Sequence, residues 1–419
     1  MIFLFYKRSF IRKIVVILQC KSILFKMKRI FLLQFSVFIV LVAVYVHFSV
    51  NSPSVAVAQQ PLIWNMPMLQ QVKQSKTHKD FIQTKILKVA DYYISQPMLS
   101  VMSKKKSIVP NKHNYQSLSI YMWPDSANPD APYLYKDGVM NPDLKNYDGD
   151  NIGKFMERLV LYSIAYYITD SLKYKQAYNK QLRTWFLDAD TYMYPNFDYA
   201  QFAPGWWDGK GAFGGIIDAY VFIDVIESIE LMNLLNCIDD ETYQAVREWF
   251  SDFKDWLLTS DNGKKESNVA DNHSIAYMAL LARMAYFTGD IMLANTIQQK
   301  MSRLIFRQID KNGQQPLELQ RTCAWFYSIY NLQHIMDYCI MANSMGAKFY
   351  DRNKQRIDAA FDYLIHFIGK PNDFPYQELR DWGECEQLLQ AEILRLSRLN
   401  HKIYNTPSNR FESVFTLIK

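Results

Sequence analysis

The sequence predicts an all-α protein, a helical array or (α/α) toroid of antiparallel helix hairpins. Three observations lead there. Apolar residues recur at helical spacing from about residue 76 onward, no convincing two-residue alternation interrupts them, and chain breakers fall between the periodic segments. Many antiparallel helices joined by short turns pack as bundles or rings.

The elements follow in order. Over 152–170 the apolar stripe is Ile152, Phe155, Leu159, Tyr162 and Tyr166, one face of a helix. The same spacing runs through 172–187, 215–236, 241–259, 273–288, 291–308, 317–345, 352–368 and 383–399. Ser260-Asp261-Asn262-Gly263, Gly289-Asp290, Asn312-Gly313 and Pro371-Asn372 punctuate them. From Thr322 to Ala342 the chain is apolar on almost every side, with Cys323, Phe326, Tyr330 and Tyr338 on one face and Trp325, Ile329, Leu332 and Met336 on another. A helix apolar all round is buried all round, as the inner ring of a toroid requires. Two regions resist the pattern. Residues 107–150 are rich in Pro, Asn, Asp and Tyr, and 190–215 contain Pro204-Gly205-Trp206-Trp207-Asp208-Gly209. Long irregular stretches in a compact domain are usually functional.

Composition narrows the class. The 419 residues are 49% hydrophobic and 15% aromatic, which excludes a disordered chain. Aromatic residues fill cores, and they also stack on the C–H faces of sugars. The net charge of +6 has no long basic run beyond Lys104-Lys105-Lys106. That argues against a nucleic-acid partner and suits a polyanionic substrate. Residues 1–58 read as an N-terminal extension and signal peptide, with Met27 a second candidate start. Met27-Lys28-Arg29 opens a basic region, Ile30 to Val50 is largely apolar, and Ala56-Val57-Ala58 offers a cleavage site. An exported protein follows, periplasmic or secreted, with no stable membrane association once cleaved; an uncleaved anchor is the alternative. Residues 59–419 are expected to form one domain. Cys237, Cys323, Cys339 and Cys385 show no metal spacing and read as buried free thiols.

Chemistry concentrates in two places. Asn272-His273 follow Glu266-Ser267-Asn268 and precede the apolar run Ile275–Phe287, which sets them at a helix N-terminus, where an anion is favoured. An Asn cap with an incidental His is the plain alternative. Arg321 is a lone charge opening a nearly all-apolar helix, so it requires an acidic partner or ligand, and Glu318 one turn earlier is a candidate partner. Tyr327 by composition passes for a core residue. On an ideal helix a six-residue gap turns Arg321 and Tyr327 about 120° apart, so a distorted first turn or the long Arg side chain has to bring them together.

Together these residues suit one reaction. A uronic-acid polymer is cleaved by taking the C5 proton, α to a carboxylate, and expelling O4. The enzyme must neutralise the carboxylate and then supply a base and an acid. Asn donates to the carboxylate, Arg gives a fixed positive fork, and His neutralises or acts as base. Tyr needs a neighbour such as Arg321 to populate phenolate.

Several motifs in order resemble the alginate lyase domain family. They are His113-Asn114-Tyr115-Gln116-Ser117-Leu118 with Tyr121-Met122-Trp123-Pro124-Asp125, then Asn141-Pro142, Ala177 through Trp185-Phe186-Leu187, and Asp255-Trp256-Leu257-Leu258-Thr259-Ser260. The Asn272-His273 pair, Pro316-Leu317-Glu318-Leu319 with Arg321-Thr322, and Tyr327-Ser328 with Asn331 complete the set, over about 85–370. The resemblance implies an incomplete (α/α) toroid with a long cleft beneath irregular loops, β-elimination of an anionic polysaccharide, and no cofactor or metal. It assigns Asn272, His273 and Arg321 to carboxylate neutralisation and Tyr327 to proton transfer, with His273 sharing the base role. Many relatives carry His where this chain has Phe326. His113 reads as structural, with an active-site contact as the alternative. Tyr115, Tyr121, Trp123, Trp206 and Trp207 are candidate sugar contacts, and Glu318 joins the binding set. The competing functions are a glycoside hydrolase using carboxylates such as Asp125, Asp208, Asp218 or Glu318, and a non-catalytic glycan-binding protein.

Overall fold

The computed structural model describes residues 60–75, 78–404 and 414–419. All elements below belong to the unit Ala58–Lys419. The expected signal segment and the Met27 start lie outside the described residues. In chain order the helices are α1 (Met66–Gln74), α2 (Lys88–Ile94, entered through Lys79–Phe81 and a π-helical stretch at Ile82–Leu87), α3 (Asp148–Thr169), α4 (Leu172–Phe186), α5 (Phe222–Leu234), α6 (Asp240–Thr259), α7 (Asp261–Glu266), α8 (Asn272–Thr288), α9 (Ile291–Gln308), α10 (Ala324–Ser344), α11 (Phe349–Ile365), α12 (Trp382–Asn400) and α13 (Val414–Ile418).

Burial sorts them into two layers. Helices α5, α8 and α10 bury almost every residue for most of their length. They form the middle of an inner series α3–α5–α8–α10–α12 in which each helix packs on the next. Helices α4, α6, α9 and α11 alternate with these in sequence and bury one stripe each, such as Tyr243, Val246, Phe250, Phe253 and Leu257 of α6. An outer helix has solvent on one side, so its apolar residues collect at 3.6-residue spacing. The result is an incomplete (α/α) toroid.

Helices α10 and α12 run parallel. Trp325 at the start of α10 stacks on Trp382 at the start of α12, 3.8 Å between ring centroids, while Asp337 late in α10 pairs with Arg395 late in α12. Their N-terminal ends, and that of α8 where Asn272 bonds Glu318 just ahead of α10, therefore bring positive dipole ends to one mouth.

The opposite end is closed by polar groups. Glu227 of α5 accepts the backbone N–H groups of Leu62, Ile63 and Trp64 at 3.2, 2.8 and 3.0 Å, and Arg283 Nε of α8 at 2.6 Å. Lys419 Nζ reaches Asp224 at 3.1 Å and Asp337 at 3.2 Å.

Over the mouth lie the two irregular regions, where the structure adds what periodicity did not show. Strand β1 (Gln116–Leu118) pairs in parallel with β4 (Tyr199–Phe202), and β2 (Met122–Trp123) pairs antiparallel with β3 (Leu134–Tyr135). Strands of two to four residues are too short to display alternation. The expected helix at 317–345 begins only at Ala324, so the stretch carrying Glu318 and Arg321 is turns. Cys237, Cys323, Cys339 and Cys385 are buried and free. Among the described residues no helix is long and apolar enough to cross a membrane.

Candidate active site

Two inner helices present the predicted residues at the mouth. Asp271 caps α8 by accepting the His273 N–H at 3.2 Å, so Asn272 and His273 occupy the first turn. There they diverge. Asn272 is 1% exposed and turns to Glu318, giving its backbone N–H to Oε1 at 2.8 Å and Nδ2 to Oε2 at 2.7 Å. Burial pushes the Glu318 carboxyl up to about 7 against the pull of those two bonds. The Asn272 side-chain oxygen Oδ1 is buried with no hydrogen-bond partner.

His273 turns instead to Glu266 at the end of α7, with Nδ1 2.7 Å from Oε1 and the side chain 26% exposed. Burial alone would lower the imidazole pKa. The hydrogen bond and charge of Glu266, reinforced by Asp271 and Glu318, outweigh it and raise the pKa to about 9. The ring is therefore an imidazolium at neutral pH, with Nδ1–H given to Glu266 and Nε2–H left over.

Arg321 precedes α10 on a turn, which removes the 120° problem, and its guanidinium folds over the Tyr327 ring with Cζ 3.9 Å from the centroid. Its acidic partner is Asp137 rather than the expected Glu318. Nη2 and Nε donate to Asp137 at 2.7 and 3.3 Å, while Thr322 N and Oγ1 each donate at 3.0 Å and the Tyr135 hydroxyl at 2.9 Å. Burial works against the Asp137 charge, but this cage of donors holds its carboxyl well below the usual range. Tyr327 is 8% exposed, with its hydroxyl 2.6 Å from that of Tyr121. Burial pushes the phenol up by more than Arg321 brings it down, so the free site holds it neutral.

Electrostatic interactions join these groups into one circuit. Tyr330 lies within electrostatic reach of Tyr121 and Asp218, Asp218 within reach of His273, and Glu318 links His273 to Arg321. Asp218 accepts Ser117 Oγ at 2.5 Å, Gln201 Nε2 at 2.7 Å and the Tyr115 hydroxyl at 3.0 Å. Gln201 has φ +49°, a left-handed conformation costly for a side-chain-bearing residue and typical of functional sites. Such a circuit of one imidazolium, one guanidinium, an amide and a buried phenol is equipped to take an anion and move a proton beside it.

A family profile for alginate lyases matches residues 100–374. The chain belongs to the alginate lyase family. This makes it a polysaccharide lyase and sets aside the hydrolase and the non-catalytic binder. A crystallised alginate lyase from Bacteroides ovatus is 32% identical, with 86% of this chain and 99% of that chain covered and a TM-score of 0.80. Alginate lyase A1-III from Sphingomonas species A1, solved with a tetrasaccharide, is 13% identical over 84% of this chain and 94% of its own, at a TM-score of 0.53; it shares the fold. A search of curated proteins returned no match.

In this alginate lyase family member the other expected residues fall in different places. His113 Nδ1 is 2.6 Å from the Tyr192 carbonyl and its ring stacks on Tyr194 at 5.1 Å, so it ties two mouth loops together. Tyr115 is fully buried, one ring face against Phe197 at 4.2 Å, and offers its hydroxyl to Asp218 rather than a face to a sugar. Tyr121 lies at the circuit itself. Trp123 is held through Nε1 to the Val139 carbonyl at 2.8 Å, with Lys136 over its ring. Trp206 and Trp207 are 44% and 37% exposed, neighbours at 5.9 Å on the rim loop. Sequence reasoning missed Asp137, Glu266, Gln201 and Tyr330. Only Asp137-Gly138 carried any local mark, a turn signal.

Proposed function

We propose that this lyase cleaves a uronate polymer, alginate or a glucuronan-like chain, by β-elimination, with Tyr327 as the proton carrier. The observation that carries the proposal is the Arg321 guanidinium lying 3.9 Å over the Tyr327 ring, inside a circuit that also holds a protonated His273. In this scheme the Nε2–H of His273 and the amide hydrogen of Asn272 not given to Glu318 take the uronate carboxylate, helped by the converging helix N-termini. Neutralising that charge makes C5–H acidic.

His273 already carries its proton, which leaves the base role to Tyr327. Its phenolate is favoured by Arg321, against burial and the Tyr121 hydroxyl, which both push the phenol up. As C5 gives up its proton to Tyr327, the C5–H electron pair becomes the C4=C5 bond. The C4–O4 pair departs with O4, which takes the proton back from Tyr327. Arg321, forked onto Asp137, thus acts mainly through Tyr327. Trp206 and Trp207 suit sugar stacking along the rim. The basic, apolar leader of the sequence fits an exported enzyme.

Incubating the protein with alginate and with glucuronan, and following ultraviolet absorbance of the conjugated C4=C5 product, tests the activity. Tyr327→Phe is expected to lower kcat by about 10³-fold with polymer binding retained. Full activity in that variant removes Tyr327 from the mechanism.

A further inference from the structure

The rim of the mouth carries a cation that the elimination does not use. Arg380 lies beyond the family-matched span, in the turn ahead of α12, and is exposed. Its guanidinium stacks on the Phe326 ring, Cζ 3.4 Å from the centroid. Phe326 in turn stacks on Tyr330, 5.6 Å and 15° apart, and meets Tyr327 edge-on at 5.3 Å. The arrangement is braced from behind. Glu378 accepts the backbone N–H of Arg380 at 2.8 Å through one oxygen and that of Phe326 at 2.9 Å through the other. Leu379 N and Ala324 N add bonds to the Thr322 and Gln377 carbonyls at 3.1 and 3.0 Å. The nearby carboxylate is thus committed to backbone, and among the described residues no acid forms an ion pair with Arg380.

An exposed arginine without a partner ordinarily samples many rotamers. Here the stack fixes the plane of the guanidinium while its N–H edge stays unengaged, a preorganised fork of the shape that carboxylates fit. It also lies beside the site. The Phe326 ring it covers packs on both Tyr327 and Tyr330, so the guanidinium stands one aromatic ring from the proton carrier.

A uronate polymer carries a carboxylate on every sugar, and the circuit neutralises only the one at the cleaved linkage. We propose that Arg380 binds the carboxylate of a neighbouring sugar, making a second anionic subsite one aromatic ring beyond Tyr327. This rests on the uronate reading given above.

The test uses the whole chain with Tyr327→Phe, so that bound oligosaccharide survives, with and without Arg380→Ala or Arg380→Lys. Calorimetric titration with an alginate tetrasaccharide is compared with its methyl-esterified form. Arg380→Ala is expected to weaken the acidic ligand about tenfold, a loss of about 1.4 kcal/mol, to leave the ester unchanged and to flatten the salt dependence. Arg380→Lys is expected to fall between, because it keeps the charge and loses the fork. Equal affinity of the Ala variant for the acidic ligand, equal losses on acid and ester, or no tetrasaccharide binding in the parent each overturn the subsite. Absence of unsaturated product from the unmodified protein on every uronan overturns the elimination reading instead, and the binding data remain readable.

Discussion

At the scale of single residues, the charge state of His273 is the property most open to measurement. Its pKa of about 9 depends on the bond from Nδ1 to Glu266 overcoming burial. The folded value exceeds the ordinary 6.5, so the interaction stabilises the fold fully below about 6.5 and is lost as pH rises through about 9. Activity should follow the same limb. It is expected to climb into the alkaline range as Tyr327 phenolate becomes accessible, and to fall near pH 9 as His273 loses its proton. Glu266→Gln removes the charge that holds the imidazolium, and the falling limb of kcat/KM should then move down by about one pH unit or more. A pH–rate profile of both proteins checks this, and an unmoved limb separates Glu266 from the titration. Glu266 had no mark in the sequence because a carboxylate seven residues ahead of a histidine is unremarkable until a short helix, α7, brings the two together.

At the scale of elements, the site depends on short pieces pressed closely against one another. The 3₁₀ stretch Phe213–Val221, which carries Asp218, lies directly on β4. A Cβ on Gly215 would stand 2.4 Å from the Ala200 carbonyl oxygen, and one on Gly211 only 2.2 Å from it. Gly215→Ala must therefore push β4 away from the segment holding Asp218. We expect a loss of about 1–3 kcal/mol in stability, the usual cost of overpacking, together with a drop in kcat. Thermal unfolding and steady-state kinetics check the pair, and an unchanged midpoint would show that β4 gives way freely. The long helices were legible because ten or more residues repeat one pattern against a shared core. The strands among the described residues were not, since each has at most four residues, and β1 pairs with β4 across a large sequence gap, Gln116 with Tyr199.

At the scale of the molecule, the toroid has a mouth that gathers the candidate residues and a closed end built from its own ion pairs. Arg283 and Glu227 are both almost wholly buried there, with the chain entry at Leu62–Trp64 bonded to the same carboxylate. Removing one partner of a buried pair leaves the other charge uncompensated. Arg283→Leu is thus expected to destabilise by about 3–5 kcal/mol while KM for the polymer stays the same, as chemical denaturation and kinetics on the folded protein would show. A shift in KM would mean that the closed end communicates with the mouth.

The helical order, the all-round apolar strip of α10 and the isolation of Arg321 just ahead of it were readable in the chain, because periodicity and local charge are properties of neighbouring residues. The partners were not. Arg321 meets Asp137 across 184 positions, Asn272 meets Glu318 across 46, and the Tyr327 hydroxyl meets that of Tyr121 across 206. A lone arginine requires an acid but does not say which of 41. That choice is made when α8 and α10 bring their N-terminal ends together and the segments flanking the β2–β3 hairpin, which carry Tyr121 and Asp137, come down over them, a matter of distance in space that sequence spacing does not record.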